Sequence, residues 1–116
     1  MTLQTNNLLQ FTGTEQWYYH PLFKKYRYTD GVRYVAQEGG AYWLIEAIFS
    51  WQLKSEVKAE PFQSWTLTVK DNRAVLTATD GNNNLIAKQE IEFTDFPLPE
   101  IKFYLTDNVL LLPSEY

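Results

Sequence analysis

The stretch TDGVRYVAQEGGAYWLIEAIFSWQLK, residues 29–54, decides the fold. Thr29-Asp30 ahead of Val32, Tyr34, Val35 and Ala36 reads as a helix start, because Asp30 can accept the first free backbone N–H groups and its charge suits that end. The helical pattern runs on to about Leu53. Gly39-Gly40 sits inside it at a cost of about 1 kcal/mol per glycine relative to alanine. Either the helix breaks there or the glycines admit a close neighbour; the spacing favours one long helix, kinked at that point. Its second half is apolar nearly all round, leaving Glu46, Ser50 and Lys54 as a narrow wet stripe. A helix wrapped in this way belongs at the centre, with a sheet on one side. The aromatic N-terminal segment or another subunit would cover the other.

Downstream of Pro61 the period changes to two. Trp65, Leu67 and Val69 share one face of a strand that begins at Phe62, and Lys70-Asp71-Asn72-Arg73 is a turn. Ala74 to Thr79 and Leu85 to Phe93 follow as strands joined by Asp80-Gly81-Asn82-Asn83-Asn84, residue types that tolerate positive φ. Asp95 to Pro99 is a corner, and Ile101–Leu105 and Val109–Leu112 form a last hairpin around Asp107-Asn108. The run Val109 to Leu112 predicts a strand covered on both faces and ended by Pro113. Tyr116 is expected to rest on the body, with Glu115 within reach of Lys24 to Arg27. Upstream, Leu3 to Phe11 predicts a short helix ended by Gly13. The aromatic run from Glu15 to Tyr28, broken at His20-Pro21, predicts extended or irregular chain. The expected architecture is α+β. An N-terminal helical part with one long central helix packs on an antiparallel meander of about five strands, and residues 1–116 form a single domain.

Hydrophobic residues make up 45% of the 116, enough to build a core without staples, and no cysteine is present for disulfides, thiolate metal sites or a thiol nucleophile. No stretch is apolar enough to span a bilayer, and the start lacks a signal-peptide pattern, so a cytoplasmic protein is expected, with no membrane partner. The net charge of −4 argues against a nucleic-acid protein. Its distribution is uneven, with Lys24, Lys25, Arg27 and Arg33 towards the front and Glu90, Glu92, Asp95, Glu100, Asp107 and Glu115 crowding the last third. Four Trp, eight Tyr and seven Phe are many for this length. Rings of this kind fill small cores and also recur at binding surfaces.

Candidate chemistry is sparse. His20 is the one histidine; beside proline it reads first as a hydrogen-bonded structural residue, and as a base it would need an orienting carboxylate, Asp30 or Glu38 being nearest in sequence. Glu46 interrupts the most apolar stretch; buried, it would be a perturbed acid marking a site, and on the wet stripe it would be ordinary. Asp80, Asn82 and Asn84 alternate as in a calcium loop, but Leu85 stands where the glycine belongs and Ile91 where the closing glutamate belongs, so a hairpin turn is the better reading. No metal site or cofactor is expected. The strongest local pattern is Phe23-Lys24-Lys25-Tyr26-Arg27-Tyr28 with Arg33-Tyr34. Cations interleaved with aromatics suit phosphate and base stacking, although the same residues serve equally as a solvated face over inward-packed tyrosines. The candidate binding set is therefore His20, Lys24, Lys25, Tyr26, Arg27, Tyr28, Arg33 and Tyr34.

Five segments, Phe11-Thr12-Gly13-Thr14-Glu15, Tyr28-Thr29-Asp30-Gly31-Val32, Gly40-Ala41-Tyr42-Trp43-Leu44, Thr94-Asp95-Phe96-Pro97-Leu98 and Leu111-Leu112-Pro113-Ser114-Glu115-Tyr116, occur in an order that resembles a family of small bacterial proteins of unknown function. That resemblance spans nearly the whole chain and implies a bacterial single-domain protein met in cyanobacterial, phage and plasmid contexts. It supplies no activity and no catalytic residue, and the mobile-element setting it implies favours a regulator or inhibitor.

Three function classes follow. The leading one is a non-enzymatic module that binds a protein partner or itself, as a homodimer. The second is a nucleic-acid-associated factor or mobile-element regulator using residues 23–34. The third is a small enzyme built on His20 or Glu46, and the missing catalytic constellation tells against it.

Overall fold

In the computed structural model, which describes residues 16–116, the chain is α+β, with three helices and a seven-stranded mixed sheet. In chain order the elements are β1 Trp17–Tyr19, β2 Arg27–Thr29, α1 Asp30–Glu38, α2 Tyr42–Trp51, α3 Ser55–Lys58, β3 Phe62–Lys70, β4 Arg73–Thr79, β5 Leu85–Ile91, β6 Glu100–Thr106 and β7 Val109–Leu111. A 3-10 turn, Pro113–Glu115, closes the chain. The helix expected over Leu3 to Phe11 lies outside the described residues.

The long helix of the sequence reading is two helices. Thr29, not Asp30, is the N-cap of α1: its hydroxyl accepts the Val32 N–H at 3.3 Å, and Asp30 is the first helical residue. At the other end Gly40 takes φ +61°, and the Ala41 N–H reaches back to the Ala36 carbonyl at 2.8 Å. That six-to-one bond is a Schellman termination, which needs a residue in the left-handed region, and only glycine takes that region without strain. Gly39 meets the second account of the pair, close approach: a Cβ there would come within 2.8 Å of the Phe96 ring. The two glycines therefore stop one helix and let the chain turn into the next.

α2 buries Leu44, Ile45, Ile48 and Phe49 and exposes Tyr42, Glu46 and Ser50, so it is covered on one broad face and bare along one stripe. Its second partner is the N-terminal aromatic segment. Phe49 stacks on Tyr26 at 5.4 Å between centroids and meets Phe23 and His20 edge-on. Trp43 lies half-buried on the flank.

The sheet is not a five-stranded antiparallel meander. Its order is β1-β2-β7-β6-β3-β4-β5. Two tight hairpins match the sequence reading: Asp71-Asn72 and Asp107-Asn108 all take positive φ between paired strand ends, as a two-residue turn of this handedness requires. After β5 the chain does not turn back beside it. Residues 92–99 cross the β3–β4 turn, where the Thr94 N–H donates to the Asn72 carbonyl at 2.8 Å and the Val69 N–H to the Pro99 carbonyl at 2.8 Å. Phe96 and Leu98 are buried on the way. This delivers β6 to the far side of β3, an antiparallel pairing at long sequence distance. β7 then lies between β6 and β2, pairing parallel with the latter. β2 and β1 are the two strands that period alone does not reveal, because each has only three residues.

The C-terminal turn locks this arrangement. Glu115 Oε1 accepts from the Thr29 hydroxyl at 2.6 Å and the Leu112 N–H at 2.9 Å, and Oε2 accepts from the Gly31 N–H at 3.2 Å. The expected reach of Glu115 to the lysines near residue 24 is thus replaced by a seat at the start of α1. A carboxylate there satisfies otherwise orphaned donors and faces the positive helix end, whereas an exposed ion pair adds little. Gly31 makes room, since a Cβ at that position would meet Glu115 and Leu112 at 2.7 Å. Tyr116 is largely exposed, yet its ring rests on Phe62 and Tyr104. We expect Glu115→Ala to lower stability by about 2–3 kcal/mol, the size of lost charge-assisted hydrogen bonds. Glu115→Gln, which keeps part of the bonding, should lose less; chemical denaturation of the three proteins measures both.

Candidate functional site

The helices cover one face of the sheet. Strand alternation sends Gln63, Trp65 and Leu67 of β3, Leu76 of β4, Phe103 and Leu105 of β6 and Leu110 of β7 into that core. Gln63 and Gln52 are buried polar residues in it. They exchange amide hydrogen bonds at 2.9 Å, Gln63 also bonds the Val57 carbonyl, and the Trp65 indole N–H donates to Gln63. A cleft of about 250 Å³ opens beside them, lined among others by Tyr26, Lys58, Glu60 and Asn108. Its buried amides are already satisfied by one another, so they hold the core rather than await a ligand.

On the opposite face the Tyr116 ring, at the C-terminal turn, rests on Phe62 and Tyr104. At the β3–β4–β5 side this face is threonine and charge: Thr66, Thr77, Lys88 and Lys102 align in one row, Thr68, Glu90 and Glu100 in the next. At the β1 side its character changes. The registers place Tyr19, Arg27, Val109, Thr106 and Phe62 side by side, one residue from each of five neighbouring strands. Trp17, Tyr104 and Tyr116 flank this row. The Arg27 guanidinium carbon sits 5.9 Å from the Trp17 ring centroid and 6.0 Å from that of Tyr19. Trp17 is 50% exposed and Tyr19 61%. Sequence reading had singled out Arg27 but not its two rings. Their signal is the pairing of β1 with β2, which lies outside any single-strand pattern.

The same alternation divides the basic-aromatic segment. Arg27 points to the bare face, while Tyr28 points to the helix side, stacked on Tyr18 at 5.7 Å. Burial pushes the Tyr28 phenol up, helped by the Tyr42 phenol and opposed by Arg33. Arg33 is engaged on that side too: it donates to the Tyr18 hydroxyl at 3.1 Å and lies 4.7 Å from its ring, while that hydroxyl donates to Asp30 at 2.8 Å. Tyr26 is buried against Phe49, with burial raising its phenol pKa, and Tyr34 is half-buried on the core. Lys24 and Lys25 are exposed in the β1–β2 loop. The eight candidates thus belong to the core, to two opposite faces and to a loop.

His20 finds a carboxylate that sequence distance did not suggest. Its Nε2 is 3.7 Å from Glu46 Oε2, neither Asp30 nor Glu38 being the partner. Its Nδ1 accepts the Leu22 N–H at 3.0 Å and the Phe23 N–H at 3.4 Å, which places the proton on Nε2, towards Glu46. The lone pair a base would use is already committed to the loop backbone. Glu46 itself is exposed, on the wet stripe with Ser50, so the buried acid considered from the sequence is not there. In the Asp80 turn, the carboxylate accepts from the Asn82 and Asn84 N–H groups and the Asn84 amide, which holds its pKa below the usual range. The turn is a hairpin closed on itself. Among the described residues no three metal-ligating side chains cluster, and no helix is long and apolar enough to cross a membrane.

The sequence model of a family described as a family of unknown function (DUF6876) matches residues 2–116. The chain belongs to this family. The resemblance read from its five segments, to a family without assigned activity, is borne out. No curated protein and no solved structure matches it.

The His20 geometry has a measurable consequence. His20→Ala removes the acceptor of two loop N–H groups and a ring packed on Phe23 and Phe49, and should cost about 1–2 kcal/mol. Glu46→Gln should stay within about 0.5 kcal/mol of the parent, as for other exposed charges. Denaturant midpoints compare the two.

Proposed function

We propose that the chain is a non-enzymatic interaction module that docks a protein partner on the aromatic half of the bare sheet face. The observation that carries this reading is Arg27 held between the exposed rings of Trp17 and Tyr19. Trp, Tyr and Arg are the residues that dominate interface energetics, because each offers a large rigid contact with a polar edge. Cation–π contact with two rings also restricts the guanidinium before a partner arrives, which lowers the ordering cost of binding. Arg27 is the single charge in the row from Tyr19 to Phe62, so the matching surface is apolar with one carboxylate set among its side chains. A phosphate backbone would call for several cations along one face, and here Arg33 lies on the other.

Capture from a lysate of the source cells, with parent and variants immobilised in parallel, tests this. Arg27→Glu and Trp17→Ala should each reduce retention of the partner protein about tenfold or more. Lys102→Glu, on the polar half of the same face, should leave it unchanged. Equal retention by all four proteins would sink the reading, and nuclease-sensitive retention of nucleic acid would replace it with the nucleic-acid one.

A further inference from the structure

We propose that two copies of the chain join edge to edge along β5, in one particular register, into a continuous antiparallel sheet. β5 is a terminal strand of the sheet, seven residues long, and its partner on the inner side is β4. Such an edge presents unpaired N–H and C=O groups that either need protection or recruit another strand. The opposite terminal strand, β1, has only three residues. Around β5, Leu85 is 62% exposed and Phe93 72%, both large apolar side chains at the surface with no interior role.

Two-fold antiparallel pairing permits few registers that keep both helical layers on one side of the joined sheet, because a one-residue slip turns a strand over. With the axis through Lys88, each Lys88 faces the other, and like charges directly opposed are unfavourable. With the axis through Ala87, Lys88 faces Ile86 while Glu90 has no strand partner. With the axis through Gln89 the strand complements itself. Lys88 faces Glu90 of the second copy, twice over by symmetry. Ala87 faces Ile91, and the two Gln89 residues, each still accepting the Trp51 indole N–H of its own chain, meet on the axis. The charges that would otherwise guard the edge thus form reciprocal pairs. This edge lies across the sheet from the aromatic row, so loss of one surface leaves the other to be measured.

Sedimentation of the full chain over a dilution series should show a reversible monomer–dimer equilibrium of micromolar strength, since strand-edge contacts are smaller than a standard stable interface. Lys88→Glu turns two attractive pairs into two repulsive ones and should raise the dissociation constant about tenfold or more. The double swap Lys88→Glu with Glu90→Lys rebuilds the pairs in reversed polarity and should restore it. The sequence contains no cysteine, so Gln89→Cys provides a clean probe: at the axis its Cα atoms would lie about 4.5–5.5 Å apart, within disulfide range. Mild oxidation should link it rapidly and leave Lys102→Cys unlinked. Circular dichroism and cooperative unfolding establish that each variant is folded. A strict monomer at high micromolar concentration would overturn the proposal. So would a dimer indifferent to Lys88→Glu, or equal cross-linking at positions 89 and 102.

Discussion

The position of β7 between β2 and β6 is the constraint on which the sheet depends. β7 has three residues, yet it joins the N-terminal ribbon to the larger antiparallel sheet, and its pairing with β2 is the parallel one. Three residues of ladder are little to hold such a junction. The carboxylate of Glu115 supplies the rest, because it satisfies the start of α1 and the end of β7 with the same two oxygens. The element following β2 and the element following β7 are thereby fixed to each other. A group that serves both ends of a parallel pair sets its register as well as its stability.

From this junction follows the division of the bare face. β1 and β2 bring Trp17, Tyr19 and Arg27, β6 and β3 bring Tyr104 and Phe62, and β7 joins the two groups on one face. The other end of the same face, made by β4 and β5, is threonine, Val75 and charge. On the helical side several polar groups are engaged internally. Gln52 and Gln63 satisfy each other, His20 ties down its own loop, and Tyr18 occupies Arg33 and Asp30. A surface whose polar groups are already paired has little left to offer a ligand, while the row around Arg27 keeps rings and one guanidinium available.

Much of the fold is legible along the chain. The change of period after Pro61, the Asp-Asn turns at 71–72 and 107–108, and the apolar run ending at Leu112 each report local backbone preferences. The break at Gly39-Gly40 was visible as an interruption, but propensity alone could not choose between a kink and a stop. The choice was made by Ala41 bonding back to Ala36 and by Phe96 occupying the space above Gly39. The exposed position of Glu46 depends likewise on which stripe of α2 the sheet takes.

The sequence by itself determined that the chain is α+β, where its long strands lie, that most of residues 30–51 is helical, which residues turn, and that it holds no thiol. These are properties of neighbouring residues, set by side-chain period and by φ preference. Only the tertiary structure decided the strand order, the parallel seat of β7, the pairing of Arg27 with Trp17 and Tyr19, the meeting of His20 with Glu46 and the seat of Glu115 on α1. Each of these joins residues through space on different elements, and the free energy that selects them comes from burial and from hydrogen bonds formed after the elements exist.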